Sequence, residues 1–188
     1  MEEAKYGLPK RAWTDNPDNV IGNARLRVEE GLTSFYTGRQ FRTYKEISLA
    51  SGQVFLIKIV STTDFILHEL SAVIDSGALK VTTYAGGTTS GTFSETMPII
   101  AKNGMSSRPT PVYTSKLGVT AVPTGGTISG GIELDILRVV APSATSQQST
   151  VTGVIDSRGI PAGTFYLKIE NINNGTTTGV IRAFWGEE

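Results

Sequence analysis

The sequence predicts an all-β protein: an antiparallel β-sandwich of the jelly-roll type with an extended N-terminal arm. Apolar and polar residues alternate in several short runs, as in half-buried strands. The 21 glycines and 8 prolines punctuate these runs, and no long segment has the composition that favours helices. We expect about eight strands in two packed sheets, with a jelly roll preferred over an immunoglobulin-like sandwich.

The predicted arm comprises residues 1–34, and the predicted sandwich domain comprises residues 35–188. In the arm, turn formers such as Asp15-Asn16-Pro17-Asp18-Asn19 separate single apolar residues, a pattern that cannot build a core. The arm is either a frayed terminus or a segment that anchors itself in pockets on another surface, and Trp13 favours the second interpretation. Its candidate partner-binding residues are Tyr6, Leu8, Lys10, Arg11, Trp13, Arg25 and Arg27.

Charge bears on the class of partner. Lysine plus arginine and aspartate plus glutamate each total 17, so the formal net charge is zero. Nucleic-acid-binding domains usually carry a basic excess, and we therefore expect no nucleic-acid partner. The region up to Lys45 is mildly basic and the remainder mildly acidic, which suits an electrostatic docking arm or a solvated tail.

The first residues and the cysteine count indicate where the protein is made. The chain has no cysteine, so it has neither disulfides nor thiolate metal sites. Its first residues are charged, and no apolar run is as long as a membrane span. We expect synthesis in a cytoplasm and no membrane partner.

Strand-like periodicity recurs along the sandwich domain. Asn173-Asn174-Gly175-Thr176 predicts a hairpin between the last two strands. Residues 92–124, which are rich in proline, predict either a long crossover connection or a binding loop. Gly86–Gly91 and Gly125–Gly130 share a Gly-Gly-Thr-x-Ser-Gly pattern, which recurrent turn chemistry explains. The clearest predicted strands are 41–49, 54–60, 65–75, 78–84, 132–140, 164–170 and 178–185.

Catalytic chemistry has few candidates. The only histidine, His68, lies between Ile66 and Leu70 on an apolar strand face. A general base needs a nucleophile and an orienting carboxylate beside it, so we expect a buried or rim histidine instead. Gly86–Gly91 lacks the Gly-Lys-Ser/Thr ending and the following helix of a phosphate-binding loop.

Metal and carboxylate chemistry is similarly unsupported. Calcium could use Asp64, Asp75, Asp135 and Asp156, yet no Asp-x-Asp-x-Asp loop gathers them. Glu133, Asp135 and Glu170 lie on predicted strands, where carboxylates are usually solvated rather than paired as in glycosidases. We therefore predict a protein that is not an enzyme and that has no metal and no cofactor.

Several segments without mechanistic motifs carry a further signal. They are 14–23 (TDNPDNVIGN), 75–77 (DSG), 103–111 (NGMSSRPTP), 158–167 (RGIPAGTFYL) and 185–188 (WGEE). Together these segments resemble structural proteins of tailed-bacteriophage virions.

This resemblance implies a head decoration or cement protein on the capsid surface, made in the host cytoplasm. Such proteins bridge neighbouring major capsid proteins, often as trimers, so the implied partner is the major capsid protein and the implied oligomer a homo-trimer. A tail- or fibre-associated β-sandwich, binding a host glycan or joining tail parts, is the alternative. Two other classes stay open: a sandwich-fold depolymerase, and a carbohydrate-binding module using Tyr36, Tyr44, Tyr84, Tyr113, Tyr166 and the two tryptophans.

Overall fold

The computed structural model describes residues 35, 37–104, 113–141 and 158–187. Two large antiparallel sheets pack against each other, which confirms the predicted all-β sandwich. The predicted arm lies outside the described residues. The strands are β1 (Gln40–Leu49), β2 (Val54–Ser61), β3 (Phe65–Ser76), β4 (Ala78–Ala85), β5 (Thr88–Ser90), β6 (Glu95–Thr96), β7 (Ile100–Ala101), β8 (Leu117–Val122), β9 (Thr127–Ser129), β10 (Ile132–Val140), β11 (Arg158–Ile160), β12 (Gly163–Asn171) and β13 (Thr177–Glu187).

The strand order is that of a jelly roll. Sheet A has the order β11-β3-β13-β1-β7, and sheet B has the order β10-β4-β12-β2-β8-β6. If β5 to β9 are set aside, each large sheet has four strands. Within each sheet, strands from the first part of the chain (β1 to β4) alternate with strands from the last part (β10 to β13). Successive strands change sheet at every connection except that from β4 to β10. Two interleaved four-stranded sheets of this kind define the jelly roll rather than the immunoglobulin-like sandwich.

The segment between β4 and β10 extends both sheets. β8 lies beside β2 and β6 beside β8, while β7 lies beside β1. Residues 92–124 therefore contain three strands in addition to connections. β6 and β7 have two residues each, which is too short for a periodic signal. Gly118 interrupts the apolar residues of β8.

The repeated glycine-rich segments pair with each other. β5 and β9 form a two-stranded antiparallel sheet in which Thr88 lies opposite Ser129 and Ser90 opposite Thr127. Gly131 adjoins Gly86 so closely that a Cβ would lie 2.6 Å from the Gly86 carbonyl oxygen. The two similar glycine-rich segments therefore do more than form turns, because the strand in each segment is the partner of the strand in the other.

The predicted hairpin between the last two strands is wrong. β12 pairs with β2 and β4, whereas β13 pairs with β1 and β3, so the chain crosses between sheets at residues 172–176. The buried Asn171 side chain organises this crossing. Its Nδ2 donates to the carbonyls of Leu49 and Gly175, and its Oδ1 accepts from Asn173 N and Thr177 Oγ1. These hydrogen bonds replace those of a two-residue turn.

Three apolar clusters hold the body together. The largest fills the space between the sheets and includes Leu79, Ile169 and Ile181. A second, around Trp185, closes one end of the sandwich. The third lies on the outer face of sheet B, where Phe93 and Ile128 of the inserted segment cover Leu56, Val122 and Tyr166. The insertion therefore shields one outer face, whereas no described segment covers the corresponding face of sheet A in the same way.

Candidate functional site

The most distinct surface feature is a groove on the outer face of sheet A, with a volume of about 530 Å³. We call it the sheet A groove. Strands β1, β13 and β3 build it, because their alternate side chains point away from the core. Cross-strand register defines three rows, which are Arg42–Phe184–Glu69, Tyr44–Arg182–Ser71 and Glu46–Val180–Val73.

The charged residues of the groove are not neutralised by ion pairs with described residues. In that part of the chain the ion pairs are Lys45–Glu95 and Lys168–Glu170, and both lie outside the groove. Arginine, lysine and glutamate side chains without partners keep their hydrogen-bonding capacity for a ligand. The groove thus offers donors and acceptors side by side. Its charged residues are Arg42, Lys102, Arg182, Glu46 and Glu69.

Phe184 forms one wall of the groove. The Lys102 ammonium lies 3.6 Å from the centroid of its ring, and the His68 ring stacks on it at 4.8 Å. Burial lowers the pKa of His68 below 6.5, and the nearby Lys102 charge lowers it further. His68 is therefore a neutral, half-buried ring at pH 7. No described nucleophile or carboxylate hydrogen-bonds to it, and its ring lies against Phe184 beside the groove.

The aromatic rings proposed for glycan binding do not form one platform. Trp185 and Tyr166 are buried, Tyr84 packs in the cluster on sheet B, and Tyr113 packs against Phe41. Tyr44 differs, since 45% of its surface is exposed and it lines the groove. Trp13 and Tyr36 lie outside the described residues, as do the other arm residues predicted to bind a partner: Tyr6, Leu8, Lys10, Arg11, Arg25 and Arg27.

A second surface is the edge strand β10. Its nine residues exceed those of β6, β7 and β11, the other end strands of the two large sheets in the described chain, which have two or three. Ala141 N donates to Gly77 O, and backbone groups alternate in direction along a strand. Those of Ile136, Arg138 and Val140 therefore face away from β4, on the side where no described strand pairs with β10. Exposed apolar side chains line this strand: Ile132, Ile136 and Val140, exposed by 69%, 45% and 60%.

Two devices restrict pairing along β10. A register shift between Glu133 and Asp135 interrupts its regular pairing with β4. The Asp135 carboxylate then accepts a hydrogen bond from the Ile136 amide, with 2.8 Å between N and Oδ1. Bulges and local charges of this kind limit indiscriminate strand addition. Among the described residues, no side chain caps the amides of Arg138 and Val140 in this way.

Candidate metal ligands are not brought together. Within the described ranges, no group of three or more His, Asp or Glu side chains is placed to hold a metal ion. Asp64 instead accepts a hydrogen bond from Ala162 N, and Asp135 binds the Ile136 amide. Asp156 lies outside the described residues. Glu170 pairs with Lys168 on the outer face of sheet B.

A buried carboxylate near the C-terminus was missed by the sequence analysis. Glu187 is 2% exposed and accepts hydrogen bonds from Trp185 Nε1, Ser115 Oγ and Lys116 N. Burial raises the pKa of nearby Tyr113, and the Glu187 carboxylate raises it further. The only sequence signal was the closing Trp-Gly-Glu-Glu segment, which gives no indication that the residue is buried. Glu187 joins the last strand to the segment leading into β8, which is a structural role.

Comparison with known proteins gives no assignment. No protein-family model matches the chain, and neither curated proteins nor solved structures give a match. In the described ranges, no helix has the length and apolar character needed to cross a membrane. The function is therefore inferred from the residues and the fold.

Proposed function

We propose that this chain is a non-enzymatic structural protein of a tailed-bacteriophage virion. It decorates the capsid exterior and cements neighbouring major capsid proteins. The jelly-roll strand order is compatible with this role, since viral capsid domains commonly use the fold. Because lectins and cupins use it too, the fold alone does not determine a function.

The observation that carries the proposal is the β10 edge. A long edge strand with free backbone groups is a template for pairing with another chain, and proteins usually shorten or cover such edges. Here β10 is the longest of the four strands that end the two large sheets in the described chain, and it exposes Ile132, Ile136 and Val140. An extended segment of a capsid protein can add beside β10, with its side chains packing on these residues.

The arm supplies the second contact in this proposal. Ordering an extended segment costs about 1–2 kcal/mol per residue before contacts offset it. Isolated anchors such as Trp13, Tyr6 and Leu8 suit this task, because a few large side chains carry most of the binding energy at an interface. A homo-trimer at a local three-fold position would join three such arms, and avidity would strengthen the whole attachment.

Binding to capsids tests the proposal. Capsids are prepared from a mutant of the encoding phage that does not make this protein, and purified protein is added to them. Bound protein is quantified by co-sedimentation and located by electron microscopy. We expect saturable, stoichiometric binding to the capsid exterior. Deletion of residues 1–34 should weaken binding severely, and unchanged binding by that variant would remove the arm from the proposal.

A matched pair of substitutions tests the edge. Ile136 and Ile172 are equally exposed, at 45% each, but Ile172 lies in the β12–β13 connection rather than on the edge. We expect Ile136→Asp to weaken capsid binding at least about tenfold, roughly 1.4 kcal/mol. Ile172→Asp should bind as the unmodified chain does. Equal effects of the two substitutions would exclude β10 as the capsid contact.

One observation favours a second function. The sheet A groove, with exposed Tyr44 beside unpaired charges, suits a tail- or fibre-associated sandwich that binds a host glycan. Electron microscopy of labelled particles separates the alternatives, because signal at the tail would replace the capsid proposal.

A further inference from the structure

We propose that the sheet A groove binds a sugar acid, meaning a pyranose ring that carries a carboxylate. The proposal concerns a different surface from the β10 edge. It therefore holds whether the protein sits on a capsid or on a tail.

Two arginines on adjacent strands supply the carboxylate site. Arg42 lies opposite Phe184 and Arg182 opposite Tyr44, which makes the two arginines diagonal neighbours on one face. Such neighbours are separated by about 7–8 Å, so both long side chains can reach one ligand group. Guanidinium groups bind carboxylates through paired hydrogen bonds. Neither arginine has an ion-pair partner among the described residues.

Tyr44 provides the surface for the ring. It is exposed by 45% and lies directly opposite Arg182. An aromatic ring offers an apolar face against which the C–H groups of a pyranose can pack, while its hydroxyl remains available for hydrogen bonding. A carboxylate held between the arginines therefore places the attached ring close to Tyr44.

The acidic residues of the groove favour a sugar acid over other anionic ligands. Glu46 and Glu69 lie in the outer rows of the same groove, diagonally adjacent to Arg182 on either side. Carboxylates accept hydrogen bonds from sugar hydroxyls but repel further negative charge. A ligand with one carboxylate and several hydroxyls satisfies both signs, whereas an acidic peptide would meet repulsion. The volume of about 530 Å³ lies within the range of small-molecule sites.

Calorimetric titration of the full chain provides the test. The probes are glucuronate and galacturonate with their neutral counterparts glucose and galactose, together with N-acetylneuraminate, acetate and hexaglutamate. We expect at least one sugar acid to bind at least about tenfold more tightly than its neutral counterpart (N-acetylneuraminate against galactose) and than acetate. No binding by any sugar acid, or equal or tighter binding by acetate or hexaglutamate, would overturn the proposal.

Substitutions then locate the site. Arg182→Gln should abolish the preference for the acid over the neutral sugar, and Tyr44→Ala should weaken binding that Tyr44→Phe largely retains. Arg138→Gln, an exposed arginine on sheet B, should change neither. The unfolding midpoint of each variant verifies the fold, and Arg42→Gln replaces Arg182→Gln if that variant is unstable. Unaltered affinity and preference in the folded arginine variant would show that the ligand binds elsewhere.

Discussion

Glu187 illustrates how one side chain can fix a chain segment. Its carboxylate is buried without a described ion-pair partner, yet it accepts hydrogen bonds from a ring nitrogen, a hydroxyl and a backbone amide. Hydrogen bonds to a charged group are worth more than neutral ones, and their donors would be left unsatisfied if the carboxylate were changed. The energetic role of Glu187 therefore exceeds that of an exposed glutamate.

We predict that Glu187→Gln lowers the free energy of unfolding by about 1.5–3 kcal/mol. Glu170→Gln, which removes a surface ion pair, should cost about 0–1 kcal/mol. Urea denaturation measures both.

The pKa of Tyr113 provides a second test of Glu187. Burial raises this pKa and the Glu187 carboxylate raises it further, whereas the Arg39 charge lowers it. Spectrophotometric titration of the glutamine variant should therefore show a tyrosine ionising at lower pH, and an unchanged tyrosine titration would contradict this contact.

His68 makes stability depend on pH. Burial and the Lys102 charge lower its folded-state pKa below 6.5, so the unfolded chain takes up the proton first as pH falls. The free energy of unfolding therefore decreases as pH falls below about 6.5 and levels off below the folded-state pKa. We predict that His68→Gln shows a smaller loss of stability than the unmodified chain between pH 7 and pH 5. Parallel curves in urea denaturation would refute this contribution.

The Lys102 part of this effect can be measured separately. His68 is the only histidine, so its imidazole resonances are unambiguous in NMR titrations. Lys102→Gln should raise its pKa part of the way toward the ordinary value, because burial remains.

At the scale of elements, β10 leaves some backbone groups able to pair with another protein and limits pairing with a second copy of itself. Asp135 caps the Ile136 amide on the free edge, and edge charges of this kind discourage pairing between like strands. We predict that Asp135→Ala increases concentration-dependent association at least several-fold, as measured by light scattering. Glu133→Ala removes the same charge from the same strand without freeing that amide, and it should associate less. If both variants associate equally, the lost charge rather than the freed Ile136 amide is responsible, and the prediction is wrong.

Element prediction from sequence succeeded where strands are long. The seven predicted strands correspond to β1 to β4, β10, β12 and β13, because each has several alternating residues with a buried face. β6, β7 and β11 are too short to carry periodicity, and their pairing is decided by neighbours. The Asn173–Thr176 hairpin prediction failed because turn chemistry is local, whereas Asn171 binds Leu49, which lies 122 residues away.

The candidate site was less predictable than the strands. The sheet A groove combines residues from β1, β3, β13 and the segment at Lys102, which only the strand order brings together. Tyr44 was included among seven aromatic candidates, but nothing in its local sequence separated it from buried Tyr166. Arg42 and Arg182 became neighbours through a pairing between the first and last strands.

At the scale of the whole molecule, topology governs folding. β1 pairs with β13 and β2 with β12, so the central ladders join the two ends of the domain. Proteins dominated by such distant pairings fold slowly, because the entropy of closing long loops is lost before contacts form. We predict that the fastest refolding phase that restores tryptophan fluorescence takes roughly milliseconds to seconds. Refolding within microseconds, measured by stopped-flow or temperature jump, would contradict the topology.

The position of Gln40 opposite Gly186 also has a consequence during synthesis. The Glu187 amide donates to the Arg39 carbonyl, so the start of β1 is held by β13, which is synthesised after all the other described strands. Until β13 has been synthesised, sheet A lacks its central strand and β1 lacks its long strand partner. The sheet A groove, which takes Val180, Arg182 and Phe184 from β13, therefore exists only in chains that have been translated through this strand.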